Sequence, residues 1–309
     1  MAHTHPHGGR GSLVHTLGAR RADTRRRLWI ALAINVAMLV AEAIGGLITG
    51  SLALLADAGH VLSDVGAIGL GLVAGGLAAR PGGPRRTFGY QRTEVIAALV
   101  NGITLVVIAV LVAIAAVDRL GDAPEIEGVG VVALGAFGLA GNVAATWVLA
   151  RGERKDLNLE GVLRHSVADA LGSVGVVVSG TVILATGWDA IDPLVSLAIA
   201  ALIFASSVRL IAEPINVLME AAPAGMDAEE IAQEMCELEH VRAVHDLHVW
   251  TVTAGFEALS AHVVVDPEAD RDLVRRRLEV MLRERHEIGH ITLQMEEEAP
   301  PELLDVEGS

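Results

Sequence analysis

Long apolar runs alternate with short polar ones as far as Glu213. There are six: Leu28–Thr49, Leu52–Ala78, Val95–Val117, Val129–Ala150, Val162–Thr186 and Ala190–Ala212. At about 1.5 Å per residue each is long enough, as a helix, to cross about 30 Å of hydrocarbon. They predict six transmembrane helices. Beyond Glu213 the pattern changes. MDAEEIAQEMCELEH reads as an amphipathic helix, and VRAVHDLHVWTVT and FEALSAHVVVD alternate as strands do. DRDLVRRRLEVMLRERH reads as a second helix and HITLQMEEE as a third strand. Helix, strand, strand, helix, strand predicts a small α+β domain of ferredoxin-like type. The expected organisation is a cytoplasmic tail over 1–27, a membrane domain over 28–213, an α+β domain over 214–298 and a disordered end over 299–309.

Composition agrees with a membrane chain. The mean hydropathy is +0.49 and only 20% of residues are charged, too apolar for a soluble domain of this size. The 33 glycines suit close helix packing in a bilayer. The net charge of −15 is not spread evenly. Residues 1–213 balance 16 acids with 16 bases, whereas 214–309 hold 22 acids and 7 bases. An acidic tail argues against nucleic acid or anionic lipid as its partner and suits cations. Basic residues cluster before the first helix (Arg20, Arg21, Arg25, Arg26, Arg27), after the second (Arg80, Arg85, Arg86, Arg92) and after the fourth (Arg151, Arg154, Lys155). The alternate loops are short and poor in bases, so both termini are expected in the cytoplasm. The first 27 residues hold no apolar core, so no cleavable signal is expected and the first helix must direct insertion. Cys236 is the one cysteine. It excludes an intrachain disulfide and a cysteine zinc site, and it is expected to be a small buried helix residue.

The second apolar run carries LLADAGHVLSD, which puts His60 and Asp64 at i and i+4 on one helix face. The fifth carries RHSVADALGS, with His165 and Asp169 at the same spacing. Intramembrane polar residues also hydrogen-bond helices together, which is the plain alternative for one such pair. Two matching pairs favour a metal site. Two imidazoles and two carboxylates make the four-ligand tetrahedral set that Zn²⁺ prefers, and a divalent cation offsets charges that are otherwise costly at bilayer depth. Asp57, one turn before His60, and Glu42, late in the first helix, are candidates for an aqueous path or proton relay, with an interfacial or helix-packing acid as the plain alternative for each. Asn101 and Asn142 are expected to hydrogen-bond between helices.

The segments LAINVAMLVAEAIGGLITGSLALLADAGHVLSD, FGYQRTEVIAALVNG, RHSVADALGS, EPINVLMEAAP and VHDLHVWTVTAGFEALSAHV resemble the cation diffusion facilitator family, above all its bacterial zinc-exporting branch. The resemblance covers roughly Ile30 to Glu296. It implies a homodimer of six-helix protomers that exports Zn²⁺ from the cytoplasm in exchange for protons, with His60, Asp64, His165 and Asp169 as the transport site. In the family, an Asp at the first His accompanies broader metal choice, so His60 points to zinc, with cadmium as a chemical mimic. The resemblance also matches His245, His262 and Glu296 to zinc-binding positions of the family's cytoplasmic domain. His248 is a weaker match, and His290 falls where relatives carry a histidine before the last strand. The plain alternative for this cluster is a few surface histidines on a sheet.

His3, His5 and His7 in the N-terminal tract are candidates for loose metal capture, with a plain solvated tail as the alternative. The loop RGERKDLNLEG has no histidine, so any gathering of cytosolic metal falls to that tail. GLGLVAGG lacks the strand–loop–helix context of a phosphate loop and reads as helix packing. No organic cofactor, nucleophile constellation or nucleic-acid partner is expected. Against a proton-coupled exporter stand a passive channel, a membrane zinc sensor and a membrane metalloenzyme. The sensor leaves two intramembrane pairs unexplained, and four protein ligands leave an enzyme no open metal position.

Overall fold

The computed structural model describes the backbone of residues 10–78, 80–150 and 159–297, with side chains for 27, 29–78, 80–148 and 169–297. The tract with His3, His5 and His7, the loop 151–158, the His165 side chain and the 299–309 tail lie outside the described residues. The chain divides into two compact units, residues 1–73 with 100–211 and residues 74–99 with 212–309.

Six helices are long and apolar enough to cross a membrane: α1 (Arg10–Thr49), α2 (Leu52–Ala78), α3 (Thr93–Arg119), α4 (Gly128–Ala150), α5 (Leu159–Thr186) and α6 (Ile191–Leu218). On α3, Ile103, Val107, Leu111 and Ile114 form an exposed stripe at helical spacing. Such an apolar surface needs lipid or another chain against it. Leu54, Leu105, Val131, Val176, Ile183 and Ile199 pack the interior of the first unit. Helix α4 crosses α5 closely because glycines face the crossing: a Cβ on Gly180 would stand 2.9 Å from the Val132 backbone nitrogen. Asn101 accepts from Ser63 at 3.1 Å, and Asn142 donates to Ser173 at 3.1 Å, both between helices. Helix α6 continues through Pro214, past the expected boundary at Glu213. One missing N–H removes a single backbone bond, and the helix resumes beyond it.

The α1–α2 corner sets where α2 begins. Gly50 is left-handed (φ 75°), which ends α1 at little cost, and Ser51 starts the next helix. The fully buried Asp192 at the head of α6 accepts from the Leu52 and Ala53 N–H groups at 2.7 and 3.3 Å and from the Ser51 hydroxyl at 2.6 Å. A carboxylate from a distant segment therefore caps α2. Arg119 closes the same corner by donating to the Gly50 carbonyl at 2.7 Å.

The second unit contains α7 (Ala228–Cys236), β1 (Val241–Thr253), β2 (Phe256–Val265), α8 (Arg271–His286) and β3 (His290–Glu296). The sheet order is β1-β2-β3, with β1–β2 antiparallel and β2–β3 parallel across α8. Helix α7 is shorter than its amphipathic pattern suggests, starting at the Asp227 cap and stopping at Cys236. Ile231 and Met235 fill its buried face with Leu259, Val263, Leu278 and Leu282. Cys236 is exposed, against expectation. It follows Met235 by one residue, about 100° round the helix, and so turns away from the core.

Candidate metal centre

Helix α2 presents His60 and Asp64 from successive turns, and α5 presents Asp169 opposite them. One ligand atom from each of the three lies within 4.8 Å of the others. His60 and Asp169 are buried, and His60 Nε2 is 2.8 Å from Asp169 Oδ1. Atoms this close share a proton when one is available. Deprotonated, they aim lone pairs at a common point, as a cation requires. His165 stands one turn before Asp169 on α5.

Behind the three, Asp57 accepts from the Ser173 hydroxyl at 2.9 Å, and Ser173 accepts in turn from Asn142 Nδ2. A chain of polar groups thus links α4, α5 and α2, each member buried. Gly172 makes room for it, since a Cβ there would stand 2.9 Å from Asp57 Oδ1. Asp57 and His60 also border a cavity of about 20 Å³ closed by Ile203 and Ser206 of α6, room for one water. Glu42 on α1 is fully buried, and neither carboxylate oxygen has a hydrogen-bond partner among the described residues. Its Oε1 occupies the space that a Cβ on Gly138 would take, beside Ser173. Nothing in the sequence singles out Ser173, since a serine one turn after Asp169 in a spanning helix carries no distinctive signal.

The sheet makes a second cluster. The β1–β2 register sets His245 opposite His262, and their rings are 5.0 Å apart. Glu296, at the end of β3, reaches both, with Oε2 3.0 Å from His245 Nε2 and Oε1 2.7 Å from His262 Nδ1. The His262 hydrogen bond, aided by His245 and Gln294, holds the Glu296 carboxyl below its usual range. These three side chains can hold a metal ion. Asp246 joins them unexpectedly. A bulge between His245 and His248 puts Asp246 in the left-handed region (φ 50°), where its carboxylate lies 3.8 Å from His262 Nε2 and 3.1 Å from His248 Nε2. A lone acid in an alternating strand was the only sequence signal. His248 meets the cluster through Asp246 alone. His290 stands apart: it opens β3 opposite Ala258, and its ring packs on Phe88 and Phe256 at 5.6 and 6.1 Å. Six residue steps along β3, about 20 Å, separate it from Glu296.

The cation efflux transmembrane domain matches residues 28–219, and the cation efflux protein cytoplasmic domain matches residues 223–298. The cadmium, cobalt and zinc/H(+)-K(+) antiporter of Bacillus velezensis is 34% identical, over 96% of this chain and 92% of the relative. The zinc transporter ZitB of Escherichia coli is 37% identical, over 96% and 93%. The metal cation efflux system protein CzcD of Cupriavidus metallidurans is 34% identical, over 98% and 92%. A solved structure of the metal-bound C-terminal domain of the CzcD transporter is 33% identical and covers 23% of this chain and 99% of that one, with a TM-score of 0.22. Six spanning helices followed by an α+β domain, with family matches over residues 28–219 and 223–298, make the chain a member of the cation efflux, or cation diffusion facilitator, family of membrane transporters.

Proposed function

We propose that the chain exports Zn²⁺, with Cd²⁺ as a chemical mimic, from the cytoplasm in exchange for protons. The convergence of His60, Asp64 and Asp169 from two spanning helices carries this reading. His165, at the matching position on α5, completes a tetrahedral set of two imidazoles and two carboxylates. Relatives named as zinc transporters and as a cadmium, cobalt and zinc antiporter support the cargo and the exchange. Metal binds only deprotonated ligands, so protons and Zn²⁺ compete for the same lone pairs. Release on the proton-rich side and capture on the other follow if the helices alternate access around a fixed site. Asp57 and Glu42 line the proton route, supported by their burial and by the Asn142–Ser173–Asp57 chain. His245, His262 and Glu296 hold a further zinc that regulates transport. The working form is a homodimer in the cell's inner membrane with both termini cytoplasmic. Its membrane domain spans 28–213 and its cytoplasmic domain 214–298, and the N-terminal histidines gather metal.

Everted vesicles test this. Zn²⁺ uptake is expected to follow an imposed pH gradient and to vanish in Asp169→Ala. Uptake by Asp169→Ala equal to wild type removes the site assignment. Uptake insensitive to the gradient favours a passive channel carrying the same ligands.

A further inference from the structure

The loop joining α2 to α3 is folded tightly. Gly83 and Arg86 exchange backbone hydrogen bonds at 3.0 and 2.9 Å, and Gly89 (φ 71°) donates to the Arg86 carbonyl at 2.9 Å. Gly82 is obligatory, because a Cβ there would stand 2.6 Å from the Thr87 carbonyl oxygen. This turn aims arginines into a pocket of about 580 Å³, whose far wall is the β1 face bearing His248 and Trp250. That volume is typical of a small-ligand site.

The pocket's charge is unbalanced. Arg85, Arg86 and Arg92 line it, against one carboxylate, Glu220. Glu220 is engaged by Arg92 at 2.9 Å. Arg86 lies over the Tyr90 ring at 4.3 Å, and neither Arg85 nor Arg86 meets a carboxylate among the described residues. The one other titratable lining group, His248, pairs with Asp246. Two guanidiniums therefore present unopposed positive charge beside an indole, in a unit whose sequence is otherwise acidic. The cargo cation is repelled by such a pocket. Guanidinium forks match phosphate oxygens, and the indole gives an apolar wall for what the phosphate carries. The loop joins the ends of two membrane-spanning helices, which sets it at headgroup depth.

We propose that this pocket binds a phosphate-bearing anion, the headgroup of an anionic phospholipid. Of the acidity of residues 214–309, which argued against anionic lipid, one carboxylate lines the pocket, Glu220, and Arg92 engages it; Arg85 and Arg86 come from the helix-joining loop. The proposal is independent of the metal sites.

The test uses the purified full chain in neutral detergent at constant ionic strength. It is titrated with short-chain phosphatidylglycerol, with phosphatidylcholine of the same chain length, and with inorganic phosphate, and bound ligand is counted by native mass spectrometry. Wild type is expected to bind phosphatidylglycerol saturably and phosphatidylcholine far more weakly. Arg85→Gln/Arg86→Gln is expected to weaken phosphatidylglycerol binding about tenfold or more, because two charge-assisted contacts are lost. Arg85→Lys/Arg86→Lys should fall between, keeping the charge but losing the fork. Arg276→Gln/Arg277→Gln on α8, which removes the same charge elsewhere, should bind as wild type does. Unchanged zinc affinity in Arg85→Gln/Arg86→Gln shows that the variant is folded. Saturation by inorganic phosphate but not by lipid, lost in the same variant, would retain the anion site and name a soluble phosphate as its source. Undiminished phosphatidylglycerol binding by Arg85→Gln/Arg86→Gln, or saturation by neither anion, overturns the proposal.

Discussion

Among the described residues, two histidine–carboxylate clusters draw on the same donor types in opposite surroundings, one with a single imidazole and two carboxylates, the other with two imidazoles and one carboxylate. His60, Asp64 and Asp169 come from two spanning helices, with the side chains of His60 and Asp169 each 11% exposed. His245, His262 and Glu296 come from three strands, with the two imidazoles each 31% exposed. Water can solvate the second set whether or not a metal is bound, so its charges are stable alone and its ion pairs are weak. The first set lies where the bilayer excludes water, and its carboxylates depend on a cation or a proton for compensation. The same donor types therefore suit different ends: under the proposed function, coupling of ion to proton falls to the buried set and reversible binding of cytosolic metal to the exposed one.

Zinc affinity gives the sharpest test of that contrast. In equilibrium dialysis of the full chain, His60→Ala is expected to weaken the intramembrane site about 100-fold or more, as loss of a metal ligand must exceed loss of a supporting group. His262→Ala should remove the zinc proposed for the sheet and leave the intramembrane affinity within about twofold, because sites that share no ligand act independently. Coupled losses would break the comparison. Next in size is the cap on α2. Asp192→Ala strips charge-assisted bonds from the first turn of the helix that carries His60, and it should destabilise the membrane unit by about 2–4 kcal/mol. Thermal unfolding in detergent reads this, and an unshifted midpoint would mean that α2 is held by packing alone.

Acid should act visibly on the wet cluster. Glu296 is held below the ordinary glutamate value of 4.5 by the His262 hydrogen bond. A depressed carboxyl contributes stability that is complete above 4.5 and is lost as pH falls through the lowered value. The metal-free soluble unit should lose stability in that acid range, and Glu296→Gln should flatten the loss. A slope unchanged by the substitution contradicts the assignment. The smallest effect is expected at exposed Cys236, where Cys236→Ser should change stability by less than about 0.5 kcal/mol. A larger drop would restore the buried cysteine that the helix pattern suggested.

Legibility differed between the clusters for a geometric reason. A helix places i and i+4 on one face whatever lies around it, so HVLSD and HSVAD announced their pairs from spacing alone. A strand assigns faces only once its register is known, and one bulge reverses the assignment. That bulge brought Asp246 to His262 and left His248 on the far side of it. Parallel pairing of β3 then put Glu296 at the histidines and His290 at the opposite end of the sheet. Asp192, more than a hundred residues from the helix that it caps, looked like an ordinary loop acid.

The sequence by itself determined the six spans, the α+β order beyond them, and the His–Asp spacings on α2 and α5, because hydropathy and helical period are local properties of a chain. Tertiary structure alone decided which carboxylate caps α2, which acids meet which histidines on the sheet, and that a basic loop faces Trp250. Those contacts join residues far apart in sequence, through register and packing that no local pattern encodes.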